Sequence, residues 1–115
     1  MKKWTGLLLA AILVFVSAGS VLADEATVIK VTAQKYHFTP ETITVHQGDK
    51  VVLEVTAIDT DHGFGIAAYN INELLPKGKT VTIEFTADKK GKFTIKCTHF
   101  CGLGHFWMSG TLEVV

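Results

Sequence analysis

An all-β fold, either a two-sheet β-sandwich or a small Greek-key barrel, is predicted for residues 24–115 by three features of the sequence. Apolar and polar residues alternate with period two through most of this stretch. Turn-forming clusters interrupt the alternation at short intervals. No segment carries a long amphipathic helical period. Six or seven short strands in 92 residues give each sheet one apolar face, and those faces must be buried against each other.

The elements follow in order. A first strand is expected over Thr27–Ala33. Ile43 and Val45 alternate with Thr42, Thr44 and His46, and Gln47-Gly48-Asp49 then turns the chain. Val51, Leu53, Val55 and Ala57 form the next apolar face, opposite Glu54 and Thr56. Tyr69–Leu75 is expected to hold at most a helical turn. Val81, Ile83 and Phe85 define a further strand, closed by Asp88-Lys89-Lys90-Gly91. Phe93, Ile95 and Cys97 alternate with Lys92, Thr94 and Lys96, and Leu112 and Val114 mark the last strand. Pro40 and Pro76 lie outside the alternating runs, where a missing N–H removes no ladder bond.

Composition limits the function. At 115 residues, 48% hydrophobic and 19% charged, the chain is too apolar for a disordered tail and too short for two ordinary domains. Eleven lysines, no arginine and eleven acidic residues give no net charge, so a nucleic-acid partner is not expected. Residues 1–23 read as a targeting segment. Lys2 and Lys3 precede the apolar run Leu7–Val16, and Val21 and Ala23 suit the −3 and −1 positions of signal peptidase. The rival reading is an uncleaved N-terminal membrane anchor, since the uncharged run of residues 4–23 is just long enough to span a bilayer. Either one puts a single domain, residues 24–115, in the periplasm or another extracytoplasmic space.

The chemistry is concentrated in Cys97-Thr98-His99-Phe100-Cys101-Gly102-Leu103-Gly104-His105-Phe106-Trp107-Met108. This stretch holds both cysteines and the one methionine besides the initiator. A Cys97–Cys101 disulfide would close only a very short loop and leave His105 and Met108 without a role. Zinc accepts Cys and His but does not favour a thioether. Thiolate, imidazole and thioether together select copper. A mononuclear copper site would use one Cys, two His and an axial Met, whereas two thiolates four residues apart could bridge two coppers. A dinuclear centre needs a terminal imidazole on each metal: His105 is one, and His62, in the loop after the Val51–Ile58 strand, is the best candidate for the other. The chain between the cysteines passes close by, so the His99 carbonyl is a possible ligand while its imidazole points outward. His37 and His46 read as surface residues. Phe100, Phe106 and Trp107 suit both packing and a dry rim around the metal.

At these residues the sequence resembles the CuA-type cupredoxin domain of cytochrome c oxidase subunit II, also found at the end of nitrous oxide reductase. The family motif, Cys-x3-Cys-x3-His-x2-Met with one His far upstream, is matched by Cys97, Cys101, His105, Met108 and His62. The resemblance implies a cupredoxin-like Greek-key β-sandwich and two copper ions bridged by Cys97 and Cys101. His62 and His105 would be the terminal ligands, with Met108 and the His99 carbonyl as weak axial ligands. It further implies a single-electron carrier, not an enzyme, with a redox protein such as a cytochrome or oxidase as partner. Two departures stand out. His99 occupies the place of a Glu that helps to bind magnesium or manganese in the oxidases, and no second catalytic domain follows. The alternative function is copper storage, delivery or sensing through a mononuclear site. A red-copper, nitrosocyanin-like catalyst uses a single Cys, and Cys101 argues against it.

Overall fold

The computed structural model describes residues 25–115. The signal or anchor segment expected at 1–23 lies outside the described residues.

Among the described residues, nine strands form two mixed sheets. They are β1 (Thr27–Gln34), β2 (His37–Thr39), β3 (Thr42–Val45), β4 (Lys50–Ala57), β5 (His62–Ile66), β6 (Ile71–Leu75), β7 (Thr80–Thr86), β8 (Gly91–Lys96) and β9 (Ser109–Val114). One sheet has the order β2-β1-β4-β7 and the other β3-β9-β8-β5-β6. Pairing is parallel between β1 and β4 and between β3 and β9, and antiparallel elsewhere. The helical content of the described residues is two 3-10 turns, Ala67–Tyr69 and His105–Trp107.

The alternation read from the sequence sets the core. Val51, Leu53, Val55 and Ala57 of β4 are buried, as are Ile43 and Val45 of β3 and Leu112 and Val114 of β9. Each large apolar side chain taken fully out of water in this way stabilises the fold by about 1.5–3 kcal/mol. Phe38 and Phe64 meet edge to face across the core, with ring centroids 5.5 Å apart at 82°.

Two elements differ from expectation. Residues 71–75 form a strand, not a helical turn; the turn lies just before it, at Ala67–Tyr69. β6 escapes a period-two reading because it is an edge strand paired in its sheet with β5 alone, and Asn72, Glu73 and Leu74 are all exposed. His62 is likewise not in a loop but opens β5, whose five residues are all buried. A strand covered on both sides shows no alternation.

The register brings four connections to one end of the sandwich. β1 and β4 run parallel and finish together at Ala33 and Ala57. β8 ends where β9 begins, with Lys96 opposite Ser109. The β1–β2 turn, the β4–β5 connection, the β6–β7 turn bridged to Ala57 through Lys77, and the long β8–β9 loop therefore share this pole.

Candidate metal centre

Cys97 directly follows β8 and Cys101 lies four residues on; both are buried and carry free thiols. Their sulfurs are 3.4 Å apart. The Cys97 amide donates to the Met108 carbonyl (3.2 Å), which ties the start of the loop to its end. The Cys97 thiol faces the His99 carbonyl at 3.2 Å. β5 allows this close passage because it has glycine at position 63. A Cβ there would lie 2.4 Å from Thr98 Oγ1 and 2.5 Å from the His99 amide nitrogen.

His62 reaches the sulfurs from β5. Its side chain is fully buried and its Nδ1 is 3.8 Å from Cys97 Sγ. The other ring nitrogen, Nε2, lies 2.8 Å from Asp59 Oδ1. A carboxylate only accepts, so Nε2 carries the proton and Nδ1 turns its lone pair toward the sulfurs. The second Asp59 oxygen accepts from the Lys35 amide at 2.8 Å. Burial pushes the Asp59 carboxyl up, but the Lys35 amide and His62 outweigh it and hold the group below its ordinary value. Such an outer carboxylate fixes both ring orientation and tautomer of a ligand histidine.

His105 and Met108 stand on the other side of Cys101. His105 Nδ1 is 3.6 Å and Met108 Sδ 3.8 Å from Cys101 Sγ. Met108 is fully buried, whereas His105 is half-buried between the rings of Phe100 (5.4 Å) and Phe106 (5.0 Å). Burial, with the neighbouring Cys97 thiol, pushes the Cys101 thiol up to about 12.

All six sequence-predicted residues thus sit at one pole, but they do not form one equivalent set. Among the histidine, cysteine and carboxylate side chains of the described residues, the ligand atoms that all lie within 4.8 Å of one another are those of His62, Cys97 and Cys101. This corrects the expectation of a dinuclear CuA-type centre holding two copper ions. Two ions would each need a terminal imidazole converging on both bridging sulfurs, and only one imidazole does so. The arrangement is a single three-donor, mononuclear site. Its chemistry fits copper: two buried thiols are soft donors once deprotonated, the imidazole beside them suits copper, and a thioether stands close by.

The remaining histidines behave as surface residues. His37 is exposed on the edge strand β2, His46 is exposed beside Asp49, and the His99 side chain is exposed. Phe100, Leu103, Phe106 and Trp107 are exposed by 63%, 89%, 71% and 77%, so they form an apolar rim and not core packing. Sequence reasoning passed over Asp59, whose signal was an acid three residues before the histidine, and Tyr36, which no local pattern marks.

Similarity to known proteins agrees with the fold. The cupredoxin-like domain family matches residues 6–114. Cytochrome c oxidase subunit 2 of Thermus thermophilus is 39% identical over 87 residues, 75% of this chain and 64% of that subunit. Nitrous-oxide reductase of Cupriavidus necator is 37% identical over 84 residues, 70% of this chain and 13% of the reductase. The chain therefore spans less than two thirds of these relatives. The periplasmic domain of subunit II of the Bradyrhizobium japonicum cytochrome oxidase superposes with a TM-score of 0.70 at 21% identity, covering 76% of this chain and 83% of that one. The chain belongs to the cupredoxin-like domain family, and resembles within it the periplasmic domain of cytochrome oxidase subunit II.

Proposed function

We propose that this domain binds a single copper ion through His62, Cys97 and Cys101, and that it holds and hands on copper outside the cytoplasm. The observation that supports this reading is the mutual convergence of one imidazole and two thiols, all buried, at the end of a rigid sandwich. The Met108 thioether and the His99 carbonyl belong to the site as weaker flanking donors, and His105 marks its exposed side. A copper ion held there would supply thiolate-stabilised redox and transfer chemistry.

The chain's own residues prepare for that cargo. Asp59 keeps the His62 proton on Nε2 and leaves Nδ1 available. Burial keeps the Cys101 thiol protonated, so loading releases its proton. The resemblance to oxidase subunits supports a carrier, not a catalyst, and a partner such as an oxidase or cytochrome complex. The extracytoplasmic location is supported by the signal-like residues 1–23 and by the periplasmic relative. A second reading, exchange of single electrons through the one copper, is favoured by the apolar rim around half-buried His105. Such a rim excludes water and lets a partner come close.

Anaerobic Cu(I) transfer tests the first reading. A loaded chain is expected to pass its ion to a stronger acceptor protein within minutes and then to be reloaded. An ion that stays bound while electrons exchange freely with a cytochrome would overturn delivery in favour of the second reading.

A further inference from the structure

Gly104 has an ordinary backbone, with φ −89° and ψ 8°, open to any L-residue. Its lack of a side chain must therefore have a spatial cause. A Cβ at Gly104 would lie 2.3 Å from Cδ2 and 2.5 Å from Cγ of Tyr36. At Gly102 a Cβ would lie 2.4 Å from the Tyr36 hydroxyl oxygen, on a backbone whose φ of +132° already favours glycine. The half-buried ring of Tyr36 thus lies flat on the segment between Cys101 and His105. It also packs against the core.

Tyr36 sits at the tip of the β1–β2 hairpin, and its neighbour Lys35 donates its amide to Asp59, which in turn holds His62. One short turn therefore touches both halves of the centre. It reaches the strand-borne imidazole through Asp59 and the loop-borne thiol through the Tyr36 ring. We propose that the Lys35–Tyr36 turn is a clamp that sets the spacing between the two halves of the metal site, with Tyr36 as its positioning residue. The metal part of this inference rests on the copper reading above; the seating of the loop does not.

A double-mutant cycle on the full chain tests it, read first in the reduced, metal-free protein as the iodoacetamide alkylation rate of Cys101 relative to Cys97. Tyr36→Ala and Gly104→Ala are each expected to raise that ratio by about tenfold. Gly104→Ala added to Tyr36→Ala is expected to change it by less than about twofold, because the new methyl then has room. Tyr36→Phe keeps the ring and is expected to behave as wild type. If Tyr36→Ala does not fold, Tyr36→Leu, which keeps apolar packing but shortens the side chain, runs the same cycle. The matching cycle on Cu(I) affinity, by competition with a chromophoric chelator, is expected to show about tenfold losses with the same non-additivity. The clamp is overturned if Gly104→Ala costs as much without the ring as with it. A wild-type chain that takes up no Cu(I) would overturn the copper reading and leave the alkylation cycle to decide the clamp.

Discussion

The two halves of the metal site are built in opposite ways. His62 opens a strand whose five residues are all buried, and it is held from behind by a carboxylate. Cys101 and His105 sit on a loop with two glycines, surrounded by exposed apolar side chains, and Met108 turns inward only where that loop ends. The strand half is specified by the core, so its ligand is as rigid as the fold. The loop half is specified by a few close approaches, so it can be damaged while the sandwich stays intact. A site of this kind has one donor that the fold cannot release and others held by a loop whose exposed apolar rim a partner can reach.

The largest effect should come from breaking the strand half. Phe64→Ala removes a fully buried ring that meets Phe38 edge to face, and is expected to cost about 3–5 kcal/mol in denaturant unfolding. Copper affinity should fall with it, because β5 carries His62. An unchanged unfolding midpoint would show that β5 is not part of the cooperative core. Cys101→Ser should separate the two properties. It is expected to weaken Cu(I) binding by more than about 100-fold, beyond the range usual for outer-shell changes, with at most about 1–3 kcal/mol of lost stability. Retained affinity in a chelator competition would remove Cys101 from the donor set.

Legibility in the sequence follows the same division. Alternation exposed β4, β7, β8 and β9 because each has one face toward the core. It failed for β5, where His62, Gly63, Phe64, Gly65 and Ile66 are all enclosed, and for β6, whose middle is exposed on both faces. The spacing of Cys97, Cys101, His105 and Met108 showed which residues gather at one pole. It could not show which donor atoms converge, because that depends on backbone direction across the Gly102–Gly104 segment. Tyr36 was invisible for a simpler reason: its partner lies more than sixty residues away in the chain, and only the closed sandwich brings them together.

Smaller effects sharpen the comparison. Asp59→Asn keeps the size of the side chain but removes the charge that fixes the His62 tautomer, and is expected to lower copper affinity by about 10–100-fold. No change would mean that the packing of β5 alone orients the ring. The metal-free protein should also lose stability as pH rises. The folded state holds the Cys101 proton up to about 12, whereas the ordinary thiol value is 9.0. Above 9.0 the unfolded chain binds fewer protons than the native one, so stability falls toward pH 12 and is fully present below 9.0. Unfolding midpoints of wild type and Cys101→Ser between those values should converge as pH rises; parallel curves would remove Cys101 as the cause. Met108→Leu should be the mildest change, below about 1.5 kcal/mol in stability, because volume is nearly conserved. Its clearer trace should be a shifted reduction potential, since a flanking thioether tunes a copper site more than it holds the ion. Loss of copper from this variant would make Met108 a principal donor.

Copper stoichiometry, measured together with electron paramagnetic resonance on the same reconstituted and oxidised sample, tests the single-ion site most directly. One copper per chain, with the hyperfine pattern of a single nucleus and no loss of the ion in His105→Ala, is the expected result. Two coppers per chain sharing one unpaired electron, with that shared signal lost when His105 is replaced, would contradict it.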